Sequence, residues 1–131
     1  MIYYTMSDVE ATQGVCWKFA LACMLGVKPK YVPHFVTKKS IDYMQDTREW
    51  LAKKHKKGLV YIPVNQFMET FGIRQNPPGG PDGYSIMSLS TDVVDTNHVV
   101  IAYDGKLVHD PCESDPNTFR SPVGYFVLYD L

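Results

Sequence analysis

The stretch Gln13-Gly14-Val15-Cys16-Trp17-Lys18-Phe19-Ala20-Leu21-Ala22-Cys23-Met24-Leu25-Gly26 decides the fold. Between Val15 and Leu25 only Lys18 is charged, and apolar residues fall on every side of a helical projection. A helix that is apolar all round belongs inside a fold. Gly14 and Gly26 bracket it with residues suited to a tight entry and a C-terminal cap. Cys16 then lies on the first turn, beside unpaired backbone N–H groups and the positive end of the helix dipole. That setting lowers a thiol pKa and favours the nucleophilic thiolate. On this helix alone Cys16 also fits a small core residue, because free cysteine is among the most buried residue types. The rest of the chain has to separate the two readings.

On the N-terminal side, Ile2-Tyr3-Tyr4 reads as an edge strand, and Ser7, Asp8 and Thr12 as cap or turn residues. On the C-terminal side, Pro29 and Pro33 break the segment Lys28 to Val36 into a turn with at most one helical turn. His34 within it is expected to be structural or exposed. Ser40 to Lys57 reads as an amphipathic helix with Ser40 as N-cap. Ile41, Met44, Trp50 and Leu51 fall at roughly helical spacing, with Thr47 on the same face. Lys53-Lys54-His55-Lys56-Lys57 suits the negative end of the dipole and reads as a solvated helix end, not an anion-binding patch. Gly58 is expected to stop the helix before a short strand, Leu59-Val60-Tyr61-Ile62. Asn65 is expected to cap a brief helix from Gln66 to Phe71.

The segment from Asn76 to Gly83 is dense in turn formers and is expected to border a cleft. Gly79-Gly80 lacks the strand-to-helix context of a phosphate cradle. From Tyr84 the hydrophobic period becomes two. Strands are expected at Tyr84–Leu89, His98–Tyr103, Leu107–Asp110 and Gly124–Tyr129, with Asp104-Gly105 as a hairpin turn. Helices first and an antiparallel sheet later define an α+β fold, one domain spanning residues 1–131.

Composition narrows the function. With 131 residues, 45% hydrophobic and 21% charged, the chain is long and apolar enough for one sizeable core. A net charge of -1 offers no footprint for nucleic acid or for an anionic membrane surface. No window approaches the length of a membrane span. Met1 to Thr5 lacks the basic and apolar regions of a signal peptide, and three cysteines is an odd number. Free thiols in a reducing cytoplasm are the expectation.

A nucleophilic thiol needs a base to take its proton and a third group to orient that base. His98 opens the Val99-Val100-Ile101-Ala102-Tyr103 strand, and Asp110 closes the next one. A three-residue loop, Tyr103-Asp104-Gly105, pairs Ala102 with Lys106 and His98 with Asp110, on one face and about 5 Å apart at Cβ. A two-residue Asp104-Gly105 loop instead turns Asp110 to the opposite face and brings His109 to that of His98. The triad therefore requires an odd loop or a compensating bulge. Pro111 holds Asp110 in extended geometry. Cys112 reads as a spectator thiol, with oxidative pairing to Cys16 as the alternative. Neither CxxC nor HxxxH spacing occurs among Cys16, His98, His109 and Cys112, so no metal and no cofactor is expected.

Gln13-Gly14-Val15-Cys16-Trp17 resembles the nucleophile segment of papain-like cysteine hydrolases. Asn97-His98-Val99-Val100 and Leu107-Val108-His109-Asp110-Pro111 resemble the His and Asp segments of their C39-like peptidase branch. Ala20-Leu21-Ala22-Cys23-Met24-Leu25-Gly26 and Val32-Pro33-His34-Phe35 resemble small papain-fold proteins of bacteria and phages. The resemblance implies N-terminal helices with the nucleophile on the central one, packed on a C-terminal antiparallel sheet. It also implies a Cys16–His98–Asp110 triad that cleaves an amide, peptide or isopeptide bond through a thioacyl intermediate. The backbone N–H of Cys16 would help bind the oxyanion, with Gln13 as the second donor. Gln13 stands three residues before Cys16, closer than the papain spacing. Glu10 holds the more usual offset and cannot donate when ionised. The partner implied is a peptide or protein substrate, with no nucleic acid and no membrane. The alternatives are a catalytically idle papain-fold module that binds or inhibits, phage-encoded for instance, and a thiol acyltransferase.

Overall fold

The computed structural model describes residues 1–5, 15–36, 42–64, 80–91, 97–112 and 119–131. The long apolar stretch forms α1, Val15–Leu25, with Val15, Trp17, Phe19, Ala20, Leu21, Ala22 and Cys23 buried. Its end is a Schellman motif. Gly26 takes φ 68°, its N–H reaches the Cys23 carbonyl at 3.3 Å, and the Val27 N–H reaches the Ala22 carbonyl at 3.2 Å. Gly14 lies outside the described residues. A single 3₁₀ turn at Pro29–Tyr31 follows, as the two prolines require.

The next helix, α2, runs Tyr43–Trp50 and is shorter than its periodicity predicts. The expected cap Ser40 lies outside the described residues, and Asp42 does the capping, its carboxylate accepting the Gln45 N–H at 3.0 Å. At the other end a π-turn, Leu51–His55, widens the helix, and Lys56 leaves it in the left-handed region at φ 55°. Gly58 is therefore not the stop. It already belongs to β1, Lys57–Pro63. The basic residues sit at the helix end as the dipole favours.

Four further strands follow: β2 (Tyr84–Thr91), β3 (Asn97–Tyr103), β4 (Lys106–His109) and β5 (Phe119–Asp130). They form one antiparallel sheet in the order β1-β5-β2-β3-β4. The architecture is thus α+β, with two α-helices and a five-stranded antiparallel sheet among the described residues. Ile2-Tyr3-Tyr4 is not a strand. It is held instead by Tyr4, whose N–H donates to Cys23 Sγ at 3.2 Å and whose carbonyl meets His109 Nε2 at 2.8 Å. The expected helix from Gln66 to Phe71 lies outside the described residues.

The core has two parts. Trp17, Ala20, Leu21, Ala22 and Cys23 of α1 pack with Val32, Leu51, Leu59, Ile86 and Ile101. Met87, Leu89, Val100, Ala102 and Tyr125 form a second cluster. Ile86 and Met87 are neighbours in β2, as are Val100 and Ile101 in β3, and each pair is divided between the clusters. The strand period of two requires this when a central strand is buried on both faces.

Trp17 fixes α1 in place. Its ring meets Phe126 of β5 edge-on at 4.8 Å, and its indole N–H donates to Thr47 Oγ1 of α2 at 3.1 Å. The Thr47 hydroxyl, fully buried, donates in turn to the Tyr43 carbonyl at 2.7 Å. Thr47→Val keeps the shape and removes the acceptor. The stranded indole N–H is expected to cost about 1–3 kcal/mol, read as a lower urea midpoint with an unchanged slope. An unchanged midpoint would show that the bond contributes nothing.

Candidate active site

Cys16 is the second described residue of α1, Val15–Leu25. Trp17 on one side and Val15 on the other are buried, which leaves Cys16 half-buried and fixed in direction. His98, at the start of β3, is 9% exposed. Its Nδ1 lies 3.3 Å from Cys16 Sγ, although 82 residues separate them in sequence. On the other side of the ring, Nε2 lies 2.8 Å from Asp110 Oδ1. The carboxylate therefore selects the tautomer with hydrogen on Nε2 and turns Nδ1 toward the sulfur. Asp110 Oδ1 also accepts the Cys112 N–H at 3.0 Å, which locks the carboxylate in place.

Asp110 reaches this face through a compensating bulge and not through an odd loop. Tyr103 pairs with Lys106, so the turn has two residues, with Asp104 at φ 52° and Gly105 at φ 81°. Positive φ at both centres matches the twist of the flanking strands, which a three-residue loop would not improve. Asp104 is further pinned by the Gly83 backbone, its Oδ1 accepting the Gly83 N–H at 2.7 Å. The correction comes further along. Ala102 pairs with Leu107 but Ile101 pairs with His109, so Val108 is an extra residue, a β-bulge. That one residue restores the parity the tight turn removes, and Asp110 faces His98. His109 turns away to Tyr4, with the Tyr3 ring tilted 33° against it at 4.9 Å.

The electrostatics follow from these contacts. The Cys112 thiol hydrogen-bonds the Cys16 sulfur and is the strongest influence holding its pKa down. Burial opposes it, and the hydrogen bond and charge of His98 add to it, giving a value of about 5. For His98, burial works against the imidazolium. The Asp110 carboxylate and the Cys16 sulfur outweigh it and hold the ring up at about 9. Cys112 is pushed far up by the Cys16 hydrogen bond and by burial, so it keeps its proton. At neutral pH the site thus holds a thiolate, an imidazolium and a carboxylate in line.

Of the expected site residues, Cys16, His98 and Asp110 converge, whereas Gln13, and Glu10 at the alternative offset, lie outside the described residues. The influence of Cys112 on the Cys16 pKa goes beyond the spectator role expected of it. Its only sequence signal is its place two residues after Asp110, across a proline that restricts the chain. Among the described residues no group of three or more His, Cys, Asp or Glu is arranged to hold a metal ion. Nor is any helix among them long and apolar enough to cross a membrane. The chain matches no protein-family model, no curated protein and no solved structure.

Proposed function

We propose that this is a cysteine hydrolase of papain-like type, cleaving an amide, peptide or isopeptide bond. The observation that carries the reading is the line Cys16 Sγ–His98 Nδ1–His98 Nε2–Asp110 Oδ1, with steps of 3.3 Å and 2.8 Å between residues. The Cys16 thiolate attacks the carbonyl carbon, a C–S bond forms, and the carbonyl electrons move to oxygen. The backbone N–H of Cys16 is the donor we assign to the resulting oxyanion. His98 gives its proton to the departing amine as the C–N bond breaks, which leaves a thioester. Water then attacks the thioester while His98 takes its proton. The acid leaves, and the thiolate–imidazolium pair is restored. Asp110 holds the ring throughout and stabilises its charged form.

The peptide or protein substrate is inferred from this chemistry. The test uses a reactive acyl donor. Incubation with p-nitrophenyl acetate is expected to give a burst of nitrophenol and an acetyl thioester on Cys16, located by peptide mass spectrometry. Acylation of another residue, or none, would overturn the reading. Added amines that intercept the acyl group in place of water would make the enzyme an acyltransferase.

A further inference from the structure

We infer that Cys16 and Cys112 form a peroxide-responsive thiol pair, closing reversibly into a disulfide that removes the nucleophile from the site. The inference stands on the placement of the two sulfurs and does not require the hydrolase reading to hold. Cys112 is brought to Cys16 through the same contacts that build the site. Its N–H is anchored on Asp110 Oδ1 at 3.0 Å, Asp110 holds His98 at 2.8 Å, and His98 holds the Cys16 sulfur at 3.3 Å. Each of the two thiols is then the largest single influence on the other's proton affinity. Both residues are half-buried, which leaves room for a small oxidant, and all three cysteines are free.

The two sulfurs are chemically unequal in the way such a pair needs. The thiolate is the form that peroxides oxidise, and Cys16 is the one held as thiolate. In the first step the Cys16 thiolate attacks one oxygen of hydrogen peroxide. An S–O bond forms, the O–O bond breaks, and hydroxide leaves, taking a proton from His98 to become water. In the second step Cys112 sulfur attacks the Cys16 sulfenic acid. An S–S bond forms and the S–O bond breaks. The Cys112 proton leaves with the departing hydroxide as a second water. Sulfur is oxidised and peroxide is reduced, and a dithiol such as dithiothreitol reverses the bond by exchange. Without a partner thiol, further peroxide carries the sulfenic acid on to the irreversible sulfinic acid.

Cys23 serves as an internal control. It is 1% exposed, and its sulfur is engaged by the Tyr4 backbone.

The experiment treats the full chain with excess hydrogen peroxide and reads it by non-reducing peptide mass spectrometry. A Cys16–Cys112 cross-linked peptide is expected, reverting fully with dithiothreitol. In Cys112→Ser the expected product is Cys16 sulfinic acid, not rescued by dithiothreitol. Because that variant removes one thiol of the pair, Cys16→Ser is run beside it and is expected to leave Cys112 reduced. Sulfinic acid on Cys16 in the wild-type chain at the same rate as in Cys112→Ser would overturn the inference. So would a cross-link through Cys23. A cross-link in a chain that p-nitrophenyl acetate fails to acylate would retain the thiol pair and sink only the hydrolase.

Discussion

His98→Ala is expected to lower amide hydrolysis by about 10⁴-fold, the scale seen when a triad loses the group that handles its proton. The loss falls on the chemical step. Without the ring at 3.3 Å from the sulfur, nothing protonates the departing amine, and nothing takes a proton from water in deacylation. Alkylation of Cys16 by iodoacetamide needs only the thiolate and no leaving-group proton, so it should fall far less. Its pH midpoint should rise but stay below that of an ordinary thiol, because the Cys112 hydrogen bond, the larger influence on the Cys16 sulfur, remains. Parallel steady-state and alkylation rates check both halves. Hydrolysis within tenfold of the parent would remove His98 from the proton pathway. Because the sulfur must be deprotonated and the imidazole protonated, hydrolysis by the parent should be confined between about pH 5 and about pH 9.

Leu21→Ala is expected to cost about 2–5 kcal/mol of folding stability, a large share of what a domain of this size has to spare. Leu21 is fully buried and packs in the cluster that joins α1 to Leu51, Ile86 and Ile101. That cluster has elements on several sides, so a vacated volume cannot close by moving one of them. Urea unfolding followed by tryptophan fluorescence reports directly, since Trp17 sits in the same cluster. A loss under about 1 kcal/mol would mean that the site collapses freely, and that α1 is held by something other than its apolar packing.

Much of the site was legible because its signals are local. An apolar run bracketed by glycines makes α1, and the capping geometry at Gly26 follows from the residue itself. His98 and Asp110 stand at strand ends, and a hairpin counted from Asp104-Gly105 relates them. The sequence leaves the odd loop and the bulge both open, because the bulge lies away from the turn. Lys106-Leu107-Val108-His109 contains no glycine or proline to announce a bulge, yet Val108 is the extra residue. Long-range order was hidden for a different reason. The insertion of β5 between β1 and β2 depends on pairing across dozens of residues, which no local pattern encodes. The expected strand begins at Gly124, past Pro122, a residue that removes a ladder donor. In the fold the strand begins at Phe119 and accommodates Pro122 opposite Leu89, where the register shifts. The end of α2 was misplaced because Lys56, not Gly58, takes the left-handed conformation. The bond from Trp17 to Thr47 joins two helices and has no signature in either.

The central claim is that the fold makes one sulfur a thiolate at neutral pH, and residue-resolved alkylation tests it most directly. The native chain is treated with iodoacetamide across pH 4–10, and each cysteine is quantified by mass spectrometry. Cys16 should label with a midpoint near 5, the rate rising with pH through that value and then staying flat. Cys23, pushed up by burial, and Cys112, pushed up by its bond to Cys16, should stay unlabelled until well above neutrality. A Cys16 midpoint at or above the free-thiol value of about 8.5 would contradict the account.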